Sequence, residues 1–289
     1  MNRFTEGAYD IYVHGGPDII PRQSSDIDLA QKLKEAGYAA AVHRHHFTET
    51  AGRARLVRDV TGFRMLGAIL LNDAVGGINP TAVEYALRTG AVWVGLPTVD
   101  ACLMRAEVER VSPQVAATSG IGRIVRTLPG EMGRITPELS AVFELVAQHD
   151  AVLALGKLSG PETLAVAKAA RVCGVSRMVL SNPMKPAFPL DEVMAVLSMP
   201  GVWLEVSAYQ FHPDSIGDIP PDSVAALVRA VGAGRAVLSS DGGVAGTLAP
   251  PLMLSWACNA FIDAGISERQ VLRMVRENPR ELLGPGAEE

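Results

Sequence analysis

The chain has 289 residues, of which 48% are hydrophobic and 20% are charged, and its formal net charge is −5. This composition is typical of a globular protein with a sizeable buried core. No apolar run reaches the roughly 18 residues of a membrane span, and the first residues lack the apolar core of a secretion signal. The mildly acidic balance has no basic stripe, which argues against nucleic acid as a partner.

The cysteines indicate a reducing environment. Cys102, Cys173 and Cys258 are odd in number, far apart and free of any C-x-x-C spacing. Such cysteines are typical of unpaired thiols rather than of a disulfide or zinc framework. We therefore expect reduced thiols in the core of a cytoplasmic protein.

Short apolar runs alternate with helix-like segments from one end of the chain to the other. The runs are rich in Val, Ile, Leu and Ala, as strands buried on both faces are. The sequence predicts eight strands, near residues 9–14, 39–43, 66–71, 91–96, 151–156, 177–181, 202–206 and 235–240.

The segments between these strands carry helix start and stop signals. Ser25 predicts the N-cap of the first helix. Asn79-Pro80 and Thr136-Pro137 each combine a capping residue with a proline at the first helical position. Ser267 predicts the start of a last helix that runs to Asn278-Pro279.

Residues 99–135 interrupt this alternation and predict an inserted helix and hairpin between strands four and five. The remaining strand–helix units fit a single (β/α)8 TIM barrel domain over residues 1–289. A doubly wound sheet would carry G-x-G-x-x-G after its first strand, and residues 14–18 lack that spacing. The insertion and the apolar outer helices favour a homo-oligomer.

Polar side chains follow the predicted strands at their carboxyl ends. In a barrel these ends share one rim, which is where enzymes of this fold place their active sites. The rim residues are therefore the candidates for a working cavity. They are Tyr12, His14, His43, His45, His46, Asn72, Thr98, Asp100, Lys157, Ser181, Asn182, Glu205 and Asp241.

Three arginines have two possible interpretations. Arg22, Arg44 and Arg53 could attract an anionic substrate. Solvation of their charges at the surface is the interpretation that we favour.

Several segments together resemble the amidohydrolase superfamily. Residues 10–18 look like its strand-one signature, and residues 236–243 are similar to its strand-eight aspartate motif. Residues 71–80, 96–101 and 278–279 resemble an uncharacterised branch of the same superfamily. The resemblance covers nearly the whole chain and implies a metal-dependent hydrolase-like TIM barrel.

The chain departs from this pattern at three probable metal positions. The superfamily usually carries H-x-H on strand one, where this chain has Tyr12 before His14. In the branch that it resembles, histidine is expected where Lys157 and Asn182 stand. The resemblance therefore implies an altered metal site.

A reduced ligand set could still hold one ion, because zinc sites need three or four donors. The remaining ligands are His14, His45 and Asp241, with His43 as the alternative to His45. The sequence leaves two possibilities open, a site with one zinc or other divalent metal and a site without a metal. Strand alternation places His43 and His45 on one side and His46 on the other, which favours a structural role for His46.

The resemblance implies an enzyme that hydrolyses a C–N bond, amide or cyclic amide, of a small polar molecule. Asp241 and His14 would activate water, and Lys157 would stabilise the developing oxyanion or anchor the substrate. The expected substrate-binding residues are Tyr12, His43, Asn72, Thr98, Asn182 and Glu205.

Two other functions are compatible with the same residues. One is a metal-independent lyase or decarboxylase in which Lys157 binds a carboxylate or forms a Schiff base. The other is a non-catalytic binding protein that kept the fold after losing its metal. Apart from the possible metal ligands, the sequence contains no cofactor motif that would distinguish these functions.

Overall fold

The computed structural model describes residues 2–101, 135–184, 188–213, 215 and 219–285, in which strands and helices alternate. The strands are β1 Tyr9–Val13, β2 Ala40–His43, β3 Met65–Leu70, β4 Ala91–Gly95, β5 Val152–Ala154, β6 Arg177–Ser181, β7 Val202–Ser207 and β8 Ala236–Ser239. The helices are α1 Asp26–Glu35, α2 Ala51–Thr61, α3 Pro80–Arg88, α4 Pro137–Gln148, α5 Gly160–Val172, α6 Leu190–Leu197, α7 Pro221–Val231, α8 Pro250–Asp263, α9 Glu268–Val275 and α10 Glu277–Leu283.

The eight strands are neighbours in chain order within one sheet. Where the register is defined, the pairing is parallel. The end of β1 also adjoins the segment after β8, because Val13 forms a parallel bridge with Gly242. This is the topology of a (β/α)8 TIM barrel, as the sequence predicted. Most of the expected insertion, residues 102–134, lies outside the described residues.

The chain divides into two compact units. Unit 1 comprises Met1–Arg44, Gly52–Gly67 and Trp203–Glu289, and it holds β1, β2, β8 and all of β7 except its first residue. Unit 2 comprises His45–Ala51 and Ala68–Val202, and it holds β4, β5 and β6. Strand residues in both units are buried almost throughout, because helices cover the parallel sheet.

Local sequence signals explain where the helices begin. The side chains of Ser25, Asn79 and Thr136 each accept a hydrogen bond from a backbone N–H in the first turn of α1, α3 and α4. Ser267 forms a capping box with Gln270 at the start of α9. These four predicted starts are confirmed.

The predicted last helix is wrong at its end. It is interrupted at Arg276, and a separate helix, α10, follows. Pro279 explains the break, because proline has no N–H to donate and is tolerated only in a helix's first turn. The side chain of Asn278 donates to the carbonyls of Ala233 and Ala236, at 2.7 and 2.6 Å, which anchors the new helix.

The cysteine prediction is only partly right. Cys258 is a buried thiol on α8, but Cys173 is only partly buried. Cys173 caps the C-terminus of α5, where the helix leaves the core. Cys102 lies outside the described residues. Among the helices that are described, none is both long and apolar enough to cross a membrane.

Candidate functional site

The end of β1, in unit 1, is irregular, and this irregularity sets the direction of the first site residues. Asp10 pairs with Ala41 but Val13 pairs with His43, so β1 holds one residue more than β2 over this stretch. Such a bulge re-aims the side chains that follow it. Asp10 Oδ1 stabilises the bulge by accepting hydrogen bonds from the backbone N–H groups of Tyr12 and Ser240.

His14 is held between a backbone carbonyl and a carboxylate. Its Nδ1 lies 2.7 Å from the carbonyl oxygen of Arg44, and its Nε2 lies 3.1 Å from Asp241 Oδ1. Ser207 Oγ donates to the other carboxylate oxygen at 3.2 Å. Asp241 has a φ of +52°, a left-handed conformation that is often found at functional sites when the residue is not glycine.

The hydrogen-bond partners of His14 restrict its protonation. A carbonyl oxygen can only accept, so His14 Nδ1 carries a proton. The lone pair of Nε2 would then face a carboxylate oxygen across 3.1 Å. Two acceptors at this distance repel each other unless a cation lies between them, and a proton is sufficient. His14 Nε2 and Asp241 Oδ1 are therefore close enough to pass a proton from one to the other, which is the arrangement of a general acid–base pair.

A buried ion pair lies beside this acid–base pair. Arg44 donates from Nη1 and Nη2 to the two carboxylate oxygens of Glu205, at 3.1 and 3.0 Å, and Ser239 Oγ also donates to Glu205. The guanidinium carbon of Arg44 lies 4.0 Å from the centroid of the Tyr12 ring. Burial, with the nearby Asp241 carboxylate, raises the pKa of Tyr12. The Tyr12 phenol is therefore a hydrogen-bond donor at neutral pH.

The prediction that the three arginines are solvated at the surface is wrong for Arg22 and Arg44, whereas Arg53 is partly exposed. The Arg44 side chain is 3% exposed and pairs with Glu205, which is 0% exposed. The Arg22 side chain is equally buried and pairs with Asp18. Arg53 makes two hydrogen bonds to Asp26. Each guanidinium has a carboxylate that compensates its charge, and this allows Arg22 and Arg44 to be buried.

His43 lies in a second buried cluster of unit 1. Its Nε2 accepts a hydrogen bond from the backbone N–H of Gly15 at 3.3 Å and lies 3.4 Å from Asp26 Oδ1. Arg53 holds the same carboxylate. A side chain at Gly15 would collide with Asp26, so glycine is required for this close approach. The cluster fixes the loop that follows His14.

In unit 2, an asparagine organises the strand ends. Asn72 donates to the carbonyl of His46 and to Thr98 Oγ1, each at 2.9 Å, and accepts from the backbone N–H of Thr98 at 2.8 Å. His46 Nδ1 lies 2.9 Å from the same hydroxyl. Asp100 accepts from the backbone N–H of Asp73. The contacts of Asn72 thus join the ends of β3 and β4.

Lys157 and Asn182 follow β5 and β6 in unit 2. Lys157 Nζ donates to the carbonyl oxygen of Ser181 at 3.2 Å, and its backbone N–H donates to Pro97 at 3.0 Å. Asn182 has a φ of +49°. The ammonium therefore points toward the end of β6, next to a residue in a rare backbone conformation.

His45 does not have the lone pair that a metal ligand needs. Its Nδ1 accepts from the backbone N–H groups of Phe47 and Thr48, at 3.1 and 3.2 Å. A neutral imidazole has only one lone pair, so Nε2 carries the proton. In this arrangement Nε2 offers no lone pair to a metal, and the role of His45 as a metal ligand stays a prediction.

The residues present do not fit a zinc or other divalent metal centre. His14 Nε2 and Asp241 supply two donors, whereas zinc needs three or four. Tyr12 stands at a position where the superfamily carries histidine, and its raised pKa disfavours a phenolate ligand. Within the part of the chain that is described, no three His, Cys, Asp or Glu side chains form a metal-binding group.

The sequence did not indicate the buried role of Arg44, which we expected at the surface, and it did not single out Ser207. Arg44 directly follows His43 at the end of β2, so the rule that selected the histidines also pointed to it. Because Arg44 is charged, we expected its side chain to be solvated and not to pair with a buried carboxylate. Ser207 ends β7, two residues after Glu205, and strand alternation places the two on the same face.

Comparison with solved structures supports the fold. The organophosphorus hydrolase of Deinococcus radiodurans is 17% identical with a TM-score of 0.62, over 97% of this chain and 93% of that one. The phosphotriesterase homology protein of Escherichia coli is 16% identical with a TM-score of 0.58, over 97% and 99%. The 2,6-dihydroxybenzoate decarboxylase of Rhizobium is 14% identical with a TM-score of 0.53, over 96% and 98%.

These neighbours confirm the resemblance to the amidohydrolase superfamily at the level of the fold. A model of a family of unknown function, DUF6282, matches residues 7–205, which is more than half of the chain. No curated protein matches the chain.

Proposed function

Since the chain belongs to the family of unknown function DUF6282, we propose its activity from its own residues: hydrolysis of a C–N bond, amide or cyclic amide, in a small polar molecule. The observation that carries this proposal is the buried contact between His14 Nε2 and Asp241 Oδ1. The hydrolases among the structural neighbours support the reaction class by analogy of fold.

In this proposal the acid–base pair carries out the two proton transfers that hydrolysis requires. The pair takes a proton from water as the water oxygen attacks the carbonyl carbon. When the C–N bond breaks, the protonated His14 imidazole returns that proton to the leaving nitrogen. The Arg44 carbonyl keeps Nδ1 protonated throughout, so only Nε2 and the Asp241 carboxylate exchange protons.

Tyr12 supplies the hydrogen-bond donor for the developing oxyanion. Its ring lies 5.1 Å from that of His14, centroid to centroid. Because its pKa is raised, the phenol keeps its proton and can donate to an oxygen that gains negative charge. The donor set does not fit a metal, so no step of the proposal uses one.

A panel of amides and cyclic amides in ¹⁸O-labelled water tests this function. Hydrolysis incorporates one labelled oxygen into the acid product. Asp241→Asn should abolish incorporation, whereas Asp59→Asn, which alters an exposed carboxylate paired with Arg55, should not. An unlabelled product would contradict hydrolysis. No turnover across the panel would favour the non-catalytic alternative.

The position of Lys157 favours one second candidate, a metal-independent lyase or decarboxylase. An ammonium that donates to the Ser181 carbonyl can anchor a substrate carboxylate as a point charge. A decarboxylase is among the structural neighbours. This candidate predicts carbon dioxide release together with a decarboxylated organic product that carries no label, and borohydride trapping of a Lys157 adduct would separate a Schiff base from simple anchoring.

A further inference from the structure

We infer that Arg44 is the positioning residue of the His14–Asp241 pair, and that its ion pair with Glu205 holds that pair in place where the superfamily would use a metal. The inference rests on the proposed function for its catalytic meaning. The contacts on which it is based all lie within unit 1.

Both backbone polar groups of Arg44, its N–H and its carbonyl, form hydrogen bonds at the end of β1. Its N–H donates to the carbonyl of Val13 at 3.1 Å. Its carbonyl accepts from His14 Nδ1 at 2.7 Å. The position of one residue therefore determines both where the end of β1 lies and which imidazole nitrogen carries the fixed proton.

The side chain of Arg44 fixes that backbone position. Its two hydrogen bonds to Glu205 reach β7, and Ser239 at the end of β8 donates to the same carboxylate. The guanidinium also stacks on the ring of Tyr12. One side chain thus contacts residues of β1 and β7, with a third strand joined through Glu205.

A metal ion would perform the same task by binding several strand ends at once, but the donors for it are missing. Tyr12 places a phenol where a histidine would supply an imidazole nitrogen, and the guanidinium of Arg44 lies over its ring. His14 Nε2 and Asp241 alone supply only two donors. A planar guanidinium with two parallel bonds fixes orientation in a way that a lysine ammonium cannot. The Arg44–Glu205 pair accordingly supplies the rigid link between strands.

Nuclear magnetic resonance of ¹⁵N-histidine-labelled protein tests this inference without any substrate, with His14→Gln identifying the His14 signals. The wild type should show a His14 Nδ1–H proton that exchanges slowly with solvent. The variant Arg44→Met with Glu205→Met replaces the ion pair by apolar side chains and keeps the backbone carbonyl. It should accelerate that exchange at least tenfold, with an unchanged circular dichroism spectrum.

Arg55→Lys is the control, because it breaks another two-bond ion pair, with Asp59, and leaves Arg44 and the clusters beside His14 in place. In this variant the Nδ1–H proton of His14 should still exchange slowly with solvent. Arg44→Lys is the second variant if the double substitution does not fold, and it should also accelerate exchange.

Two results would overturn the inference. One is slow Nδ1–H exchange in the Arg44 variants at the wild-type rate. The other is a full shift of the His14 signals with one equivalent of zinc, because that would place a metal at Nε2. Neither result depends on whether the protein hydrolyses amides, so failure of the proposed function leaves this test intact.

Discussion

His14 Nε2 and Asp241 Oδ1 lie 3.1 Å apart although 227 positions separate them in the chain. The first residue follows β1 and the second follows β8, and the parallel bridge between Val13 and Gly242 places the two strand ends side by side. The contact therefore follows directly from the strand order.

Replacement of Asp241 by Asn should lower turnover by at least about 100-fold, the usual contribution of a general acid–base group. The amide keeps the size of the side chain but cannot take a proton from water. Steady-state kinetics on a substrate found in the panel measure the effect. Asp59→Asn removes an exposed carboxylate and should retain wild-type turnover. Equal rates in both variants would exclude Asp241 from the chemistry.

Replacement of Arg44 by Met should destabilise the fold by about 3–5 kcal/mol, because it leaves the buried Glu205 carboxylate without its compensating charge. Adding Glu205→Met should restore most of that loss, since no buried charge remains. Urea unfolding monitored by circular dichroism measures both free energies. The exposed pair Arg55 and Asp59 is the control, and its removal should cost less than about 1 kcal/mol. A double variant as unstable as the single one would contradict this account.

Asp10 should make stability depend on pH. Burial, with a smaller contribution from the Glu205 charge, raises the pKa of Asp10 from 3.8 to about 7 in the folded protein. Between these values the folded state holds a proton that the unfolded chain has released. This stabilisation is fully present below about pH 4 and is lost as the pH rises through 7, at up to about 1.4 kcal/mol per pH unit.

Asp10→Asn should flatten this dependence, because the amide does not titrate and its oxygen can still accept from the N–H groups of Tyr12 and Ser240. Denaturant unfolding at a series of pH values from 4 to 8 compares the two slopes. Asp59→Asn should keep the wild-type slope. Parallel curves for wild type and Asp10→Asn would show that Asp10 does not titrate in this range.

Restoring histidine at position 12 should restore metal affinity. Positions 12 and 14 lie on one face of the chain, and the rings of Tyr12 and His14 are 5.1 Å apart. Tyr12→His would add a third donor to His14 and Asp241, which is the minimum for zinc. Isothermal titration should show zinc affinity at least about tenfold above wild type. Tyr85→His, on the exposed face of α3, should show no gain.

The sequence predicted the eight strands and four helix starts because buried parallel strands and capping residues leave local patterns. It also selected His14 and Asp241 as candidates from their place after strands, and the structure brings these two side chains into contact. It could not predict that Arg44 is buried, because the compensating carboxylate is Glu205, 161 positions away. His45 shows the same limit, since its tautomer depends on two backbone N–H groups in the turn that follows it. Partners of this kind exist only in the folded chain.

Lys157 and Asn182 belong to unit 2, and their roles stay predictions. Cytoplasmic location, a single domain over residues 1–289 and a homo-oligomeric state also stay predictions. Lys157→Met should reduce turnover if the ammonium binds substrate, chiefly through a higher KM. Lys168→Met, on α5, is the control. An unchanged KM for Lys157→Met would remove Lys157 from the substrate site.

The most direct test of the account is the rate of amide hydrolysis by wild type, His14→Gln and Asp241→Asn in buffer that contains a strong metal chelator. Wild-type turnover should persist after prolonged chelation, and each substitution should reduce it by at least about 100-fold. Loss of wild-type turnover in the chelator, with recovery on addition of zinc, would contradict an acid–base pair that works without a metal.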